Sequence, residues 1–240
     1  MATILSIDTS ATPVSCAILR DDCILASFYS RTGLTHSQTL MSMVENALRV
    51  ADLTVRDVDV IAVSAGPGSF TGVRIGVSAV KGLAFSDNKP CVAVSTLEAM
   101  ARNLAELPFE GIVCCVMDAR CQQVYTASFV QRSDGTQERL TPDEALSLDD
   151  LSMRLEKEGK AVLLVGDGSP LCYNAFKETI PSLYLAPLPI RYQSAVGVAM
   201  VAATKLCDGE VVSAEQLLPL YLRLPQAERE LKSRLSGSGK

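Results

Sequence analysis

The sequence predicts an α/β fold built from two similar halves, each with the order strand, strand, strand, helix, strand, helix. Three short apolar segments precede the first amphipathic helix, and the connections between them are too short for parallel pairing. Residues 58–64 form an apolar run, which is typical of a strand buried on both faces within a sheet. The same order of patterns recurs after residue 104, and we therefore predict an internal duplication.

The elements of the first half follow from alternation, turn residues and helical periodicity. Turns at Pro13 and at residues 20–22 separate three strands that form an antiparallel meander. The next helix has one apolar face, and the buried strand follows it. A glycine-rich turn, a second helix that ends near Phe85, a short strand and a third helix complete this half. The predicted bounds are 3–7, 14–19 and 23–30 for the meander, 37–51 for the helix, 58–64 and 90–94 for the later strands, and Thr96 for the start of the third helix.

The second half repeats this order with its own turns. A turn at residues 133–136 separates the second strand from the third, and a glycine turn at residues 166–168 follows the buried strand. The predicted bounds are 111–117, 124–131 and 137–140 for three strands, 143–158 for a helix, 161–165 for a strand and 170–179 for a helix. A further helix at residues 194–206 is expected to pack back on this half or to cross to the first.

These patterns divide the chain into three segments. Residues 1–104 form the N-terminal half, which carries the glycine-rich turn and the first two helices, and residues 105–232 form the C-terminal half with its closing helix. Residues 233–240 are polar and rich in Gly and Ser, and we expect a disordered tail.

Composition excludes several classes of function. The net charge of −5 argues against a chain that binds nucleic acid by itself, because phosphate binding relies on clustered Lys and Arg. No apolar run approaches the ~20 residues of a membrane span, no signal-peptide pattern is present, and we expect a cytoplasmic protein without membrane contact. The eight cysteines form no C-x-x-C pair and are expected to be buried, reduced thiols. A single histidine, His36, excludes most His-based metal and triad chemistry.

A glycine-rich run, Gly-Pro-Gly-Ser-Phe-Thr-Gly-Val-Arg-Ile-Gly at residues 66–76, connects the buried strand to the second helix. Glycines let backbone N–H groups approach a ligand closely, and a helix N-terminus favours an anion, so a phosphate is the first candidate. The run lacks the Lys-Ser/Thr pair of a P-loop and the glycine spacing of a Rossmann fold. Its anion-binding interpretation therefore depends on the rest of the chain.

Duplicated units of this kind, each with an acidic turn after its first strand, resemble the superfamily of actin, sugar kinases and chaperone ATPases, which has the actin-like, ribonuclease-H-like (ASKHA) fold. Within that superfamily, six motifs that span nearly the whole chain resemble the TsaB (YeaZ) family. They are Ile7-Asp8-Thr9-Ser10, the glycine-rich run at 66–76, Lys81-Gly82-Leu83-Ala84, Val94-Ser95-Thr96-Leu97, Asp118-Ala119-Arg120 and Tyr221-Leu222-Arg223.

This resemblance implies a non-catalytic subunit of the bacterial machinery that makes threonylcarbamoyladenosine (t6A) at position 37 of tRNAs reading codons that begin with A. The paralogue TsaD transfers the threonylcarbamoyl group, and the ATPase TsaE completes the assembly. The chain is thus expected to heterodimerise with TsaD, to form a homodimer when alone, and to meet tRNA only through the complex. TsaD binds metal through His-x-x-x-His, where this sequence has Thr96 and Met100, so we predict no catalytic residue and no metal ligand.

The same resemblance implies a nucleotide cleft between the halves. Asp8 would hold Mg²⁺ or orient a water there, whereas the competing interpretation is a turn capped by Asx and Ser/Thr hydrogen bonds. The chain itself is expected to require no cofactor, with ATP or ADP and Mg²⁺ at a composite site in the complex. The candidate nucleotide residues are Asp8, Thr9, Ser10, Gly66, Gly68 and Ser69.

The partner is expected to contact the first two helices in a four-helix bundle. Apolar residues surround most of the second helix, Gly72 and Gly76 would let a partner helix approach closely, and Arg74 would orient the contact or bind an acidic group. Packing against the chain's own sheet is the alternative for the same residues. The candidate interface residues are His36, Met43, Gly72, Arg74, Gly76, Val77 and Val80.

Two enzyme functions compete with this interpretation. A small ATPase or kinase would use Asp8 with the two glycine turns. A glycoprotease-like metallopeptidase would need a His-x-x-x-His or H-E-x-x-H motif, and a chain with one histidine has neither.

Overall fold

The computed structural model describes residues 2–223, which form two mixed β-sheets with helices on both faces. The predicted tail at 233–240 lies outside these residues. The first half contains β1 (Thr3–Asp8), β2 (Val14–Arg20), β3 (Cys23–Ser30), α1 (His36–Val50), β4 (Val60–Gly66), α2 (Phe70–Phe85), β5 (Cys91–Ser95) and α3 (Thr96–Arg102). The second half contains β6 (Gly111–Asp118), β7 (Gln123–Gln131), β8 (Gln137–Arg139), β9 (Glu144–Ser147), α4 (Leu148–Glu158), β10 (Val162–Val165), α5 (Ser169–Phe176), β11 (Leu183–Leu185) and α6 (Ala195–Cys207).

Both sheets have the same topology. The first has the order β3-β2-β1-β4-β5, and the second has β8-β7-β6-β10-β11, with β9 paired to β7. In each sheet the first strand pairs antiparallel with its hairpin partner and parallel with the buried strand. β1 is antiparallel to β2 and parallel to β4, and β6 is antiparallel to β7 and parallel to β10. The repetition confirms the duplicated actin-like α/β fold.

Two helices exchange sides and connect the halves. α1 and α2 cover one face of the first sheet, while α6, from the end of the second half, covers the other face. α4 and α5 cover one face of the second sheet, and α3, from the first half, packs on the opposite face. Of the two arrangements expected for the closing helix, crossing to the first half is the one found. α3 and α6 also contact each other, so their crossing connects the two halves.

The predicted helix at residues 143–158 is wrong in its first turn. Residues 144–147 form β9 along β7, with Gln123 opposite Ser147, and the helix begins at Leu148. The Ser147 side chain accepts a hydrogen bond from the Asp150 N–H, so the helix has its cap there. β11 was not predicted, because three residues are too few for a periodicity to be recognised.

The prediction of buried thiols holds for five of the eight cysteines. Cys23, Cys121 and Cys207 are exposed instead, because they lie at a strand start, a hairpin turn and a helix end. All eight are free thiols. Burial raises the pKa of Cys114 to about 11, which keeps that buried thiol protonated. Among the described residues, no helix combines the length and the apolar character that crossing a membrane requires.

Candidate functional site

A cleft of about 570 Å³ separates the two halves at the carboxyl ends of their parallel strands. The turn that follows β1 and the glycine-rich run that follows β4 line one wall, since β1 and β4 end at the same edge of the first sheet. Asp118, Ala119, Arg120 and Asp167 line the opposite wall, and residues 220–223 line both sides. The structure therefore places the two acidic turns opposite each other, as the resemblance implies.

Asp8 lies at the end of β1 with its side chain enclosed by protein and 1% exposed. Its Oδ1 accepts hydrogen bonds from the Ser10 N–H (2.9 Å) and the Ser10 hydroxyl (2.7 Å), and its Oδ2 accepts one from the Ser64 hydroxyl (2.8 Å). Burial raises the pKa of Asp8 above 3.8, although these hydrogen bonds and the nearby His36 act in the opposite direction. The carboxylate connects β1, the turn and β4, as in the Asx interpretation.

The glycines of the run approach this chain's own backbone. A Cβ at Gly68 would collide with the Ser10 carbonyl oxygen, and one at Gly72 would collide with the Thr9 carbonyl oxygen. Ser69 donates its N–H to the Ser10 carbonyl (2.6 Å), and the Thr9 hydroxyl donates to the Gly72 carbonyl (2.7 Å). Close packing of the run on the β1–β2 turn thus accounts for these glycines.

Gly66 and Gly166 also approach other backbone so closely that a side chain would not fit. Gly66 has φ +124°, a conformation that favours glycine, and a Cβ there would collide with the Leu220 carbonyl oxygen. In the second half, a Cβ at Gly166 would collide with the Val116 carbonyl oxygen. Three of the six candidate nucleotide residues, Ser10, Gly68 and Ser69, line one wall of the cleft, while Asp8 and Thr9 are buried behind it and Gly66 packs against residue 220. Asp8 is enclosed and the glycines pack closely on the β1–β2 turn, and the assignment of these residues to a nucleotide stays a prediction.

The structure corrects four of the candidate interface residues. Val77 and Val80 lie in the core between α2 and the first sheet, at 4% and 0% exposure. Gly72 and Gly76 face the same way, and a Cβ at Gly76 would collide with the Thr9 hydroxyl. The small residues on this stripe admit the β1–β2 turn rather than a partner helix. The alternative of packing against the chain's own sheet is the one found for these four.

The other three candidates keep some exposure. His36 is the first residue of α1, and its Nε2 lies 2.7 Å from the Ala11 carbonyl oxygen, which connects this helix to the β1–β2 turn. Met43 is partly buried and packs on the first-half core. Arg74 is exposed near the start of α2.

A different set of residues is exposed on α1 and α2, and we define Met41, Val50, Ser78, Gly82 and Phe85 as the outer face of this helix pair. Met41, Val50 and Phe85 are 46%, 61% and 83% exposed, Met41 and Val50 lie on opposite flanks of α1, and a Cβ at Gly82 would meet no atom within 4 Å. None of these residues is among the candidate interface residues predicted from the sequence. The available signal was the helical wheel, because Ser78 and Gly82 lie opposite the stripe of Val73, Val77 and Val80.

Where TsaD is expected to have its two histidines, this chain has two buried side chains without metal-binding chemistry. Thr96 and Met100 are both 0% exposed, and Met100 packs in the core between α3 and the second sheet. Within residues 2–223 no three His, Cys, Asp or Glu side chains are grouped so that they could hold a metal ion.

Comparisons with known proteins agree with the motifs. Residues 30–231 match the family model for TsaD, described as tRNA N6-adenosine threonylcarbamoyltransferase. The chain is 34% identical to the tRNA threonylcarbamoyladenosine biosynthesis protein TsaB of Bacillus subtilis, over 94% of this chain and 96% of that protein. It is 29% identical to the protein of the same name from Escherichia coli, over 95% and 97% of the two chains.

Solved structures give the same result. YeaZ from Pseudomonas aeruginosa superposes with a TM-score of 0.78 and 30% identity, covering 92% of this chain and all of that one. Component A of the (R)-2-hydroxyglutaryl-CoA dehydratase of Acidaminococcus fermentans shares the fold alone, with a TM-score of 0.52 and 14% identity over 86% of this chain and all of that one. Full-length similarity at this level, together with the shared fold and motifs, shows that the chain belongs to the TsaB (YeaZ) family.

Proposed function

We propose that this chain is a non-catalytic subunit in t6A biosynthesis, which heterodimerises with the TsaD paralogue and supports threonylcarbamoyl transfer to adenosine 37 of tRNAs reading codons that begin with A. The observation that carries the proposal is the nearly full-length similarity to relatives named as t6A biosynthesis proteins. A cytoplasmic location, and contact with TsaE and tRNA only within the assembly, stay predictions from the sequence.

The non-catalytic part of the proposal is supported by the positions that correspond to the metal ligands of TsaD. A threonine hydroxyl and a methionine thioether do not replace two imidazoles for a transition-metal ion. Thr96 and Met100 are also enclosed in the protein, and Met100 packs in the core between α3 and the second sheet. The chemistry of these two positions therefore supports a non-catalytic subunit.

The outer face of α1 and α2 supports the partner contact. It carries three exposed apolar side chains, and the open space at Gly82 would let another helix approach closely. Apolar clusters of this kind mark protein interfaces more often than free surface. The paralogue TsaD, or a second copy of this chain when TsaD is absent, would cover the face.

The cleft supports a composite nucleotide site rather than one formed by this chain alone. ATP or ADP with Mg²⁺ would need donors beyond the filled glycine turns, and the partner would supply them. When bound there, the nucleotide would supply phosphate groups and their charge-neutralising metal ion. This chain would contribute Ser69 and Arg120, which line opposite walls of the cleft.

Reconstitution of t6A synthesis with each subunit omitted in turn tests the proposal. We expect loss of modification when this chain is omitted, and loss of TsaD co-elution with Met41→Arg or Gly82→Arg, because a charge would be desolvated in the contact. Met153→Arg is the matched control, since Met153 is 53% exposed on α4, in the other half. Retained co-elution with both interface variants would contradict the assigned surface, and full modification without this chain would contradict the function. ATP turnover by the isolated chain would instead favour the small ATPase.

A further inference from the structure

Arg74 is an exposed arginine whose side chain is held in place by two aromatic residues. Its guanidinium carbon lies 3.9 Å from the centre of the Phe70 ring, and its Nε donates a hydrogen bond to the Tyr221 hydroxyl (2.9 Å). The rings of Phe70 and Tyr221 stack on each other with centroids 4.7 Å apart. Two aromatic rings and one hydrogen bond therefore fix the orientation of this exposed side chain.

The two terminal amino groups of Arg74 make no hydrogen bond or ion pair within residues 2–223. A free arginine on a surface keeps its rotamer freedom, and fixing it costs conformational entropy. A guanidinium that is already oriented loses less freedom when a planar acceptor binds both amino groups. The cluster thus presents a preorganised fork to a group outside the described residues.

The position of the fork distinguishes between anionic ligands. Phe70, Thr71 and Tyr221 line the cleft and Arg74 does not, so its guanidinium lies beside the cleft, at the rim. Arg74 belongs to α2, the helix that carries Ser78, Gly82 and Phe85 of the outer face. The chain has a net charge of −5, which disfavours an RNA backbone as the ligand. A protein carboxylate fits the position and the fork geometry.

We infer that Arg74 is a specificity anchor, which binds an Asp or Glu carboxylate of the partner protein through both terminal amino groups. Phe70 and Tyr221 are its positioning residues. This inference rests on the proposed function, in which TsaD is the partner, and it adds the chemistry of one contact within that interface.

Binding of the full chain to the TsaD protein of the same organism tests the anchor, with affinities measured at about 0.15 M and 0.5 M salt. We expect Arg74→Ala to weaken binding about 10- to 100-fold, as for loss of hydrogen bonds to a charged group. Arg74→Lys keeps the charge but not the fork, and we expect roughly 5- to 30-fold weakening. Tyr221→Phe, which removes only the acceptor of the Nε hydrogen bond, should weaken binding about threefold. These effects should shrink at the higher salt concentration.

Arg132→Ala is the matched control, because Arg132 is an exposed arginine in an ion pair on the β7–β8 hairpin. Unchanged thermal melting of each variant verifies folding. If the affinity of Arg74→Lys for TsaD is within twofold of that of the original chain, the anchor is overturned and the proposed function is unaffected. If the original chain does not bind TsaD, the proposed function is contradicted. An Arg74→Lys defect in tRNA binding alone would assign the fork to phosphate and overturn the inference. A loss of TsaD binding in Glu228→Gln or Glu230→Gln that equals the loss in Arg74→Lys would assign the carboxylate to this chain, which would also overturn the inference.

Discussion

Asp8 acquires its role from the residues around it. The two interpretations left open by the sequence, a metal or water ligand and a capped turn, differ in whether the carboxylate oxygens remain accessible. Both oxygens accept hydrogen bonds from Ser10 or Ser64, and the side chain is enclosed. The capped turn is therefore the arrangement present in the chain.

Asp8→Asn tests this role through the dependence of stability on pH. Burial raises the pKa of Asp8 in the folded state above 3.8, so the folded protein retains a proton that the unfolded chain releases. The contribution of Asp8 to stability is thus largest below pH 3.8 and declines as the pH rises through the raised pKa. At low pH the protonated carboxyl group and an amide each offer one carbonyl acceptor, so we expect Asp8→Asn to cost about 1 kcal/mol or less there.

Denaturant unfolding of the original chain and of Asp8→Asn across this pH range measures the difference. The original chain should lose stability relative to Asp8→Asn as the pH rises, because only the original chain titrates at this position. A gain of stability by the original chain relative to the variant would mean that the folded state favours the charged carboxylate.

At the scale of elements, α2 shows how one helix has a face for its own fold and another for contacts outside it. Gly72, Gly76, Val77 and Val80 face the sheet and the β1–β2 turn. Gly82 lies on the opposite side, next to open space. The glycines at the start of α2 therefore allow close packing within this chain. Gly82, near the end of the helix, is the position at which a partner could approach closely.

Two alanine substitutions in this helix are expected to have opposite effects. Gly72→Ala places a methyl group against the Thr9 carbonyl oxygen, and such overpacking should destabilise the chain by about 1–3 kcal/mol. Gly82→Ala adds a methyl group in open space and removes the conformational freedom of glycine, so it should stabilise the chain by about 0.5–1 kcal/mol. Urea unfolding of both variants measures the difference. Equal effects would show that Gly72 is not in close contact with the turn.

At the scale of the whole molecule, the C-terminal segment of the described chain bridges the two halves beside the cleft. Leu217 is buried in the first-half core, and Leu220 donates its N–H to the Ala65 carbonyl (2.6 Å). Three residues later, the Arg223 guanidinium donates to the Ala119 carbonyl of the second half (3.0 Å). The crossing of α3 and α6 holds the halves together, and this bridge spans the cleft.

Arg223→Ala is expected to release the bridge and widen the cleft. Loss of one hydrogen bond should cost about 1 kcal/mol of stability, while the distance between labels on Cys121 and on Thr71→Cys should become longer and more broadly distributed. Both label sites are exposed, and Cys23 and Cys207 would be replaced by serine to keep the labelling specific. Arg132→Ala is the control on the second half. An unchanged distance distribution in Arg223→Ala would show that the helix crossing alone sets the cleft.

Sequence patterns alone predicted most of the elements, the duplication and the resemblance to the family. These follow from signals that are local in the chain: apolar runs such as residues 58–64, helical periodicity, turn residues, and the glycine-rich motif. The first strands, the first two helices and the acidic turns all lie within a few residues of their predicted positions. The first turn of the helix at 143–158 is the exception, because the pairing of β9 with β7 overrides its local helical preference.

Only the tertiary structure decided which way each residue faces. The sequence shows that Gly72, Gly76 and Gly82 are glycines in or near one helix, but it does not show what approaches them. The first two meet the β1–β2 turn, which is about sixty residues away in sequence, and Gly82 meets nothing in the described chain. Likewise, Asp8 is enclosed by Ser64 from another strand, and Arg74 is oriented by Tyr221 from the C-terminal segment. Such contacts depend on the packing of distant segments, which no local pattern encodes.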